Sequence, residues 1–114
     1  MNDQDAFAAA WIDAWNAHDL ERILSHYAED VVFHSPVAAR VTGSGRVEGK
    51  AALRAYWGTA FARSPDLEFA LERVYAGDGA LTIAYRNHRG QFVAETFAFG
   101  ADGKVVFAAA CYAS

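Results

Sequence analysis

The sequence lacks the features that define several large classes of protein. It has a single cysteine, Cys111, so no disulfide can form within the chain, which fits a reducing compartment. The formal net charge is -4 at pH 7 and there is no basic stripe, which argues against a nucleic-acid partner. The longest apolar run, 105–113, is far too short to span a bilayer, and the acidic start MNDQDAF is unlike a signal peptide. We therefore expect a soluble, cytoplasmic protein without a membrane partner.

The spacings that hold metal ions or phosphate groups are missing as well. None of the four histidines belongs to an H-x-H or H-E-x-x-H pattern, so the sequence indicates no metal site. The G-S-G at 43–45 lacks the flanking strand and helix of a phosphate-binding loop. We expect no cofactor.

The chain does contain enough apolar material for one core. Its 114 residues are 54% hydrophobic and 14% aromatic. A chain of this length buries roughly two-thirds of the surface that its unfolded form exposes. Since no linker, repeat or low-complexity segment interrupts it, the sequence predicts one domain over residues 1–114.

Helical periodicity governs most of the first half. Apolar residues recur on one face over 7–18, and a second, shorter helix follows Asp19 and turns Tyr27 inward. A third helix occupies 49–64 and ends before a proline. Three helices are therefore expected before the main run of strands.

Strands are predicted in one early segment and throughout the second half. The first runs from Val31 to His34 and stops at Pro36, and the glycine-rich residues 37–49 predict a loop with a short strand near Val47. Four antiparallel strands then follow, over 66–75, 81–85, 91–99 and 105–112. Three helices packed on a strongly curved, mostly antiparallel sheet give an α+β fold.

Glu95 is the first candidate for chemistry. It alternates with Val93 and Phe97 on one face of its strand, so its carboxylate is in phase with apolar side chains. A lone charge there is costly, which raises the pKa of a carboxyl and suits it to general acid or base work. In the alternative reading this face is turned outward, and Glu95 pairs with Arg86 or Arg73.

Aromatic residues suggest a second feature, an apolar pocket between helices and sheet. There are more of them than a small core ordinarily needs, and together with Ser35 they predict a binding site for a small hydrophobic molecule. The expected lining residues are Trp11, Trp15, Tyr27, Phe33, Ser35, Trp57, Phe61, Tyr85, Phe97 and Tyr112.

The order of elements and three segments resemble the SnoaL-like branch of the NTF2-like superfamily. The segments are WNAHDLERILSHYAEDVVFHSP, VEGKAALRAYW and GADGKVV, and the resemblance covers essentially the whole chain. It implies a cone-shaped barrel with a pocket between the first helices and the concave face of the sheet, and a homodimer. The fold hosts isomerases, cyclases, hydrolases and binding proteins, so the resemblance is specific for fold rather than reaction.

Ketosteroid isomerases resemble the chain in layout and sharpen the expectations for three positions. Their base carboxylate corresponds to Ser35, their oxyanion-hole tyrosine to Trp11, and their second acid to Glu95. Because Ser35 cannot abstract a carbon-bound proton unaided, the resemblance does not extend to the isomerase mechanism. Of the two positions that are acidic in these isomerases, only the one that corresponds to Glu95 is acidic in this chain.

Two functions follow from these observations. The first is a small acid/base enzyme of isomerase, cyclase or hydrolase type, with Glu95 as acid or base and Trp11, Ser35 or Tyr85 orienting the substrate. The second is a cofactor-free binding or dimerisation module whose pocket holds a hydrophobic ligand without converting it. The orientation of Glu95 discriminates between them.

Overall fold

The computed structural model describes residues 3–114 as four helices and six strands. The helices are α1 (Asp3–Asn16), α2 (Leu20–Leu24), α3 (Pro36–Thr42) and α4 (Lys50–Arg63). The strands are β1 (Tyr27–His34), β2 (Arg46–Glu48), β3 (Ala70–Ala76), β4 (Ala80–Arg86), β5 (Phe92–Phe99) and β6 (Val105–Tyr112). None of the helices in this part of the chain is long and apolar enough to cross a membrane.

All six strands form one sheet in the order β2-β1-β6-β5-β4-β3. Only the β1–β6 pair is parallel, and β3 to β6 form the expected antiparallel meander. Irregularities in register interrupt β1, β3 and β5, and bulges of this kind bend strands and increase their twist. The sheet is therefore curved but not closed, and the α+β class predicted from the sequence is confirmed.

The core lies between α1, α4 and the inner face of the sheet. In β4 the burial alternates strictly, with Leu81, Ile83 and Tyr85 inward. Neighbouring inward residues on β5 are Phe97, opposite Leu81, and Glu95, opposite Ile83. The period of two predicted for these strands thus places Glu95 on the inner face.

One segment predicted as a loop is a helix. Residues 37–49 were expected to form a loop, but α3 occupies Pro36–Thr42. The Ser35 side chain accepts a hydrogen bond from the Val37 backbone N–H, Pro36 fits the first helical turn, and Gly43 ends the helix at φ 85°. The loop prediction was wrong because it rested on the small residues and glycines of this segment and did not take account of the residues that cap the helix.

Two boundaries also differ from the predictions. Helix α2 ends at Leu24, so Tyr27 begins β1 instead of completing the helix. Strand β3 starts at Ala70 instead of near residue 66, and it is largely exposed, with Leu71 and Tyr75 42% and 54% exposed. A register shift between Leu71 and Arg73 breaks the alternation, and β3 forms an edge of the sheet with few neighbours to cover it.

Candidate functional site

A cavity of about 190 Å³ opens between the helices and one end of the inner sheet face. Its floor includes Tyr85, Glu95 and Tyr112, from three adjacent strands. Aromatic side chains form much of its wall, namely Trp15, Phe33, Tyr56, Trp57 and Phe69. The cavity therefore combines an apolar wall with a carboxyl group on its floor.

Glu95 is buried, with 4% of its surface exposed, and no cationic group of residues 3–114 pairs with it. Of the two arginines considered as partners from the sequence, Arg86 lies 3.7 Å from Glu72 and Arg73 is exposed. The Tyr85 hydroxyl donates a hydrogen bond of 3.0 Å to Glu95 Oε1. Burial raises the pKa of Glu95 to about 7, against the smaller lowering effect of this hydrogen bond.

Tyrosine hydroxyls surround the carboxyl group. Burial, reinforced by the charge of Glu95, raises the pKa of Tyr85 well above its ordinary value and that of Tyr112 to about 12. The pKa of Tyr56 is also raised by burial, although hydrogen bonding to Ser35 opposes the change. All three phenols line the cavity and stay protonated at neutral pH, so they are hydrogen-bond donors.

Four residues predicted to line a pocket lie elsewhere. Trp11 is fully buried, and its Nε1–H donates to the Tyr27 hydroxyl at 3.0 Å, which places this pair in the core instead of at the cavity. Phe97 lies beneath α1 in edge contact with the Trp11 ring, at a centroid distance of 5.3 Å. Phe61 packs on the His18 ring at 4.7 Å. The roles expected of these residues as ligand contacts are thus corrected to packing roles.

The other predicted residues do line the cavity. They are Trp15, Phe33, Ser35, Trp57, Tyr85, Glu95 and Tyr112. Ser35 has a second task, since its hydroxyl oxygen accepts the Val37 N–H at 3.1 Å and caps α3. The neighbouring His34 contacts Phe107 on the other side of the strand, as alternation along β1 requires.

Polar residues at the cavity mouth were not identified from the sequence. Arg40 comes from α3, and Asn87, His88, Arg89 and Gln91 come from the turn between β4 and β5. The His88 Nδ1 and the Trp15 Nε1 are buried without a hydrogen-bond partner in the described part of the chain. The polar turn sequence N-H-R-G-Q could have indicated the cavity residues of the β4–β5 turn. Arg40 could not be identified in this way, because its segment was predicted to be a loop.

No group of three or more His, Cys, Asp or Glu side chains in residues 3–114 has a geometry that could hold a metal ion. The cavity chemistry that can be derived from these residues is proton transfer and hydrogen bonding, carried by Glu95 and the neighbouring phenols.

The open curved sheet, the helices across its inner face and the cavity at one end define a domain with the NTF2-like fold. The chain matches the model of the SnoaL-like domain over residues 8–111 and belongs to this family. No curated protein matches it.

Solved structures agree with the assignment. A SnoaL-like protein of unknown function from Burkholderia thailandensis is 43% identical, with a TM-score of 0.94, over 97% of this chain and 94% of its own. An NTF2-like protein of unknown function from Cytophaga hutchinsonii is 10% identical, with a TM-score of 0.77, over 99% and 92% of the two chains. TerC, co-crystallised with polyporic acid, is 16% identical, with a TM-score of 0.79, over 96% and 92%. The last two likenesses concern the fold alone.

Proposed function

We propose that the cavity binds a small hydrophobic metabolite bearing a carbonyl group, and that Glu95 acts on it as a general acid/base. The reaction is then of isomerase, cyclase or hydrolase type. The observation that carries this proposal is a buried carboxyl on the floor of an apolar cavity, hydrogen-bonded to a tyrosine and not paired with a cationic group of residues 3–114. A pKa of about 7 lets both protonation states of Glu95 be populated at neutral pH.

The proposed step is a proton transfer at carbon. The Glu95 carboxylate takes a proton from the carbon beside the substrate carbonyl, the C–H electron pair forms the C=C bond of an enolate as the carbonyl π pair moves onto oxygen, and Glu95 becomes a neutral acid. Tyr56 and Tyr112 supply hydrogen bonds to the enolate oxygen, since both are neutral phenols of the same cavity. The acid then returns the proton to a different carbon of the substrate, and the original state is restored.

The aromatic wall supports binding of a ring or an alkyl group. Trp15, Phe33 and Trp57 are nearly fully buried, so their cavity faces are held in place by packing. Ser35 and Tyr85 add polar points for orientation. TerC, which shares the fold, was co-crystallised with polyporic acid, and this supports the proposal of a small-molecule site in the present chain.

A binding module that performs no reaction is the second candidate. The position that corresponds to the ketosteroid isomerase base is Ser35, whose hydroxyl oxygen is engaged as the cap of α3. This observation favours binding without turnover, because it leaves Glu95 as the only carboxyl among the described cavity-lining residues.

Hydrogen–deuterium exchange separates the two candidates. We expect the protein to accelerate exchange of the α-protons of 2-indanone in D₂O, since this probe has an enolisable carbonyl next to a ring. Glu95→Gln should lower the protein-dependent rate by about 100-fold, the lower end of what a general base contributes. Exchange is measured by ¹H NMR.

Glu68→Gln is the matched control, because Glu68 is an exposed carboxyl that is not among the residues lining the cavity. Its exchange rate should equal that of the unmodified protein. If 2-indanone broadens in the presence of protein yet shows no accelerated exchange, the binding module is the better description and the enzyme proposal fails.

We also propose that the protein forms a homodimer through the outer face of the sheet. Rows of small side chains cross this face, including Ala84 opposite Ala94, while Phe92 and Phe107 are 50% and 38% exposed. An apolar surface of this kind is ordinarily covered by a partner, and a second copy is the commonest one.

Thr96→Arg tests the dimer because Thr96 lies near the middle of this face, 2.8 Å from Thr82 by their hydroxyl oxygens. We expect light scattering to give close to twice the 12.4 kDa mass of one chain, and a single-chain mass for the variant. Thr59→Arg, at an exposed position of α4, should leave the dimer intact. A single-chain mass for the unmodified protein at micromolar concentration would refute the proposal.

A further inference from the structure

The cavity mouth has two arginines that are free of ion pairs. Arg40, in the last turn of α3, and Arg89, in the β4–β5 turn, both line the cavity and are exposed. Within residues 3–114 neither forms a salt bridge, whereas Arg46, Arg54 and Arg86 each face a glutamate at 4.0 Å or less. Their guanidinium donors are therefore available to a ligand.

The backbone beneath each arginine is fixed by local hydrogen bonds. Asn87 Oδ1 accepts from the backbone N–H groups of Arg89 and Gln91, both at 3.0 Å, and its Nδ2 donates to Gln91 Oε1 at 2.9 Å. Arg40 lies on a helix capped at both ends, by Ser35 and Gly43. The two guanidinium groups thus belong to segments with defined local hydrogen bonds, and both line the same cavity.

The charge of the cavity is opposite to that of the protein. The chain has a formal net charge of -4, yet the described residues that line the cavity include two arginines and one carboxyl. The positive charges of Arg40 and Arg89 both act to lower the pKa of Tyr112, so their electrostatic field reaches the floor where Glu95 lies. A negatively charged ligand group is favoured at this mouth.

We propose that the ligand carries a carboxylate, which Arg40 and Arg89 bind at the mouth while its apolar part lies against the aromatic wall near Glu95. This inference rests on the proposed function and names its substrate class as small carboxylic acids with one ring. Guanidinium groups bind carboxylates through paired N–H donors, and a cavity of roughly 150 Å³ holds benzene, so about 190 Å³ suits one substituted ring.

The test compares two probes that share one ring and differ in the charge of a single substituent. 4-(Trifluoromethyl)benzoate and 4-(trifluoromethyl)benzamide have the same ring and reporter group, and their affinities are measured by ¹⁹F NMR titration at low salt and pH 6, where Glu95 is mostly neutral. We expect the benzoate to bind at least tenfold more tightly. In the double variant Arg40→Gln/Arg89→Gln this preference should fall to twofold or less.

Arg63→Gln/Arg73→Gln is the matched control. Both residues are exposed and lie outside the cavity lining, and the substitutions remove the same two positive charges. It should retain the tenfold preference, and Arg40→Lys/Arg89→Lys should retain part of it. Equal affinities of the two probes for the unmodified protein, or an equal loss in the control, would overturn the inference while leaving the proposed function intact. Absence of binding by both probes would refute the cavity as a ligand site and so reject both.

Discussion

The unmodified protein is expected to lose about 3 kcal/mol of stability as the pH rises from about 4.5 to 7, and the Glu95→Gln variant should not show this loss. The folded protein keeps the Glu95 proton up to about pH 7, whereas an ordinary glutamate releases it near 4.5. Since the folded state binds more protons in this window, its free energy of unfolding falls as the pH rises from about 4.5 to 7 and levels off above it. The glutamine amide keeps the shape of the side chain without this titration.

The measurement is urea unfolding of both proteins at pH 4 to 8. The difference in free energy of unfolding, Glu95→Gln minus the unmodified protein, should increase by about 3 kcal/mol across this range. Other titrating groups cancel in the difference, including His26, whose pKa burial lowers. Glu68→Gln should show no such increase, and a flat difference for Glu95→Gln would mean that the carboxyl is not desolvated.

The inward orientation of Glu95 was predictable from the sequence, but its isolation was not. Alternation with Val93 and Phe97 fixed the side of β5 on which it lies, because the period of a strand depends on local geometry. Whether Arg86 or Arg73 could reach it depended on the packing of a different strand. In the structure Arg86 instead pairs with Glu72 and covers the Phe92 ring at 4.6 Å, so it does not pair with Glu95.

Helix α1 likewise combines a feature that the sequence predicts with one that it does not. The periodicity of α1 correctly predicted that Trp11 and Trp15 face inward, yet one lies in the core and the other at the cavity. Their separation is one turn, and the position at which the cavity begins depends on how α1 lies over the sheet. The α1–sheet contacts involve residues distant in sequence, such as Tyr85 of β4, whose ring centroid lies 5.6 Å from that of Trp11. Periodicity alone contains no information on that placement.

The cavity mouth was the least predictable part of the site. Its two arginines belong to segments far apart in the sequence, and the pairing of β6 with β1 joins the strand before α3 to the same sheet as the β4–β5 turn. A parallel pair such as β1–β6 leaves no local signal, because its partners are joined by most of the chain. The helix that positions Arg40 did have a signal, in the cap formed by Ser35 and Pro36.

Truncation of Trp11 is expected to destabilise the fold by about 3–5 kcal/mol. The Trp11→Ala variant loses a fully buried indole that contacts Phe97 and Tyr85, and leaves the Tyr27 hydroxyl without its 3.0 Å donor. Urea or thermal unfolding measures the change. A loss below about 1 kcal/mol would contradict the packing role assigned here.

A double-mutant cycle isolates the hydrogen bond within this effect. Tyr27→Phe alone leaves the buried indole N–H unpaired, at a cost of about 1–3 kcal/mol, and Trp11→Phe alone leaves the buried hydroxyl unpaired. The double variant removes both groups, so its loss should be smaller than the sum of the two. Trp11→Phe should also leave the affinity for the benzamide probe unchanged, whereas Trp15→Phe, at the cavity wall, should alter it. If Trp11→Phe instead weakens the probe while stability is retained, Trp11 contacts the ligand and the boundary between core and cavity drawn along α1 is misplaced.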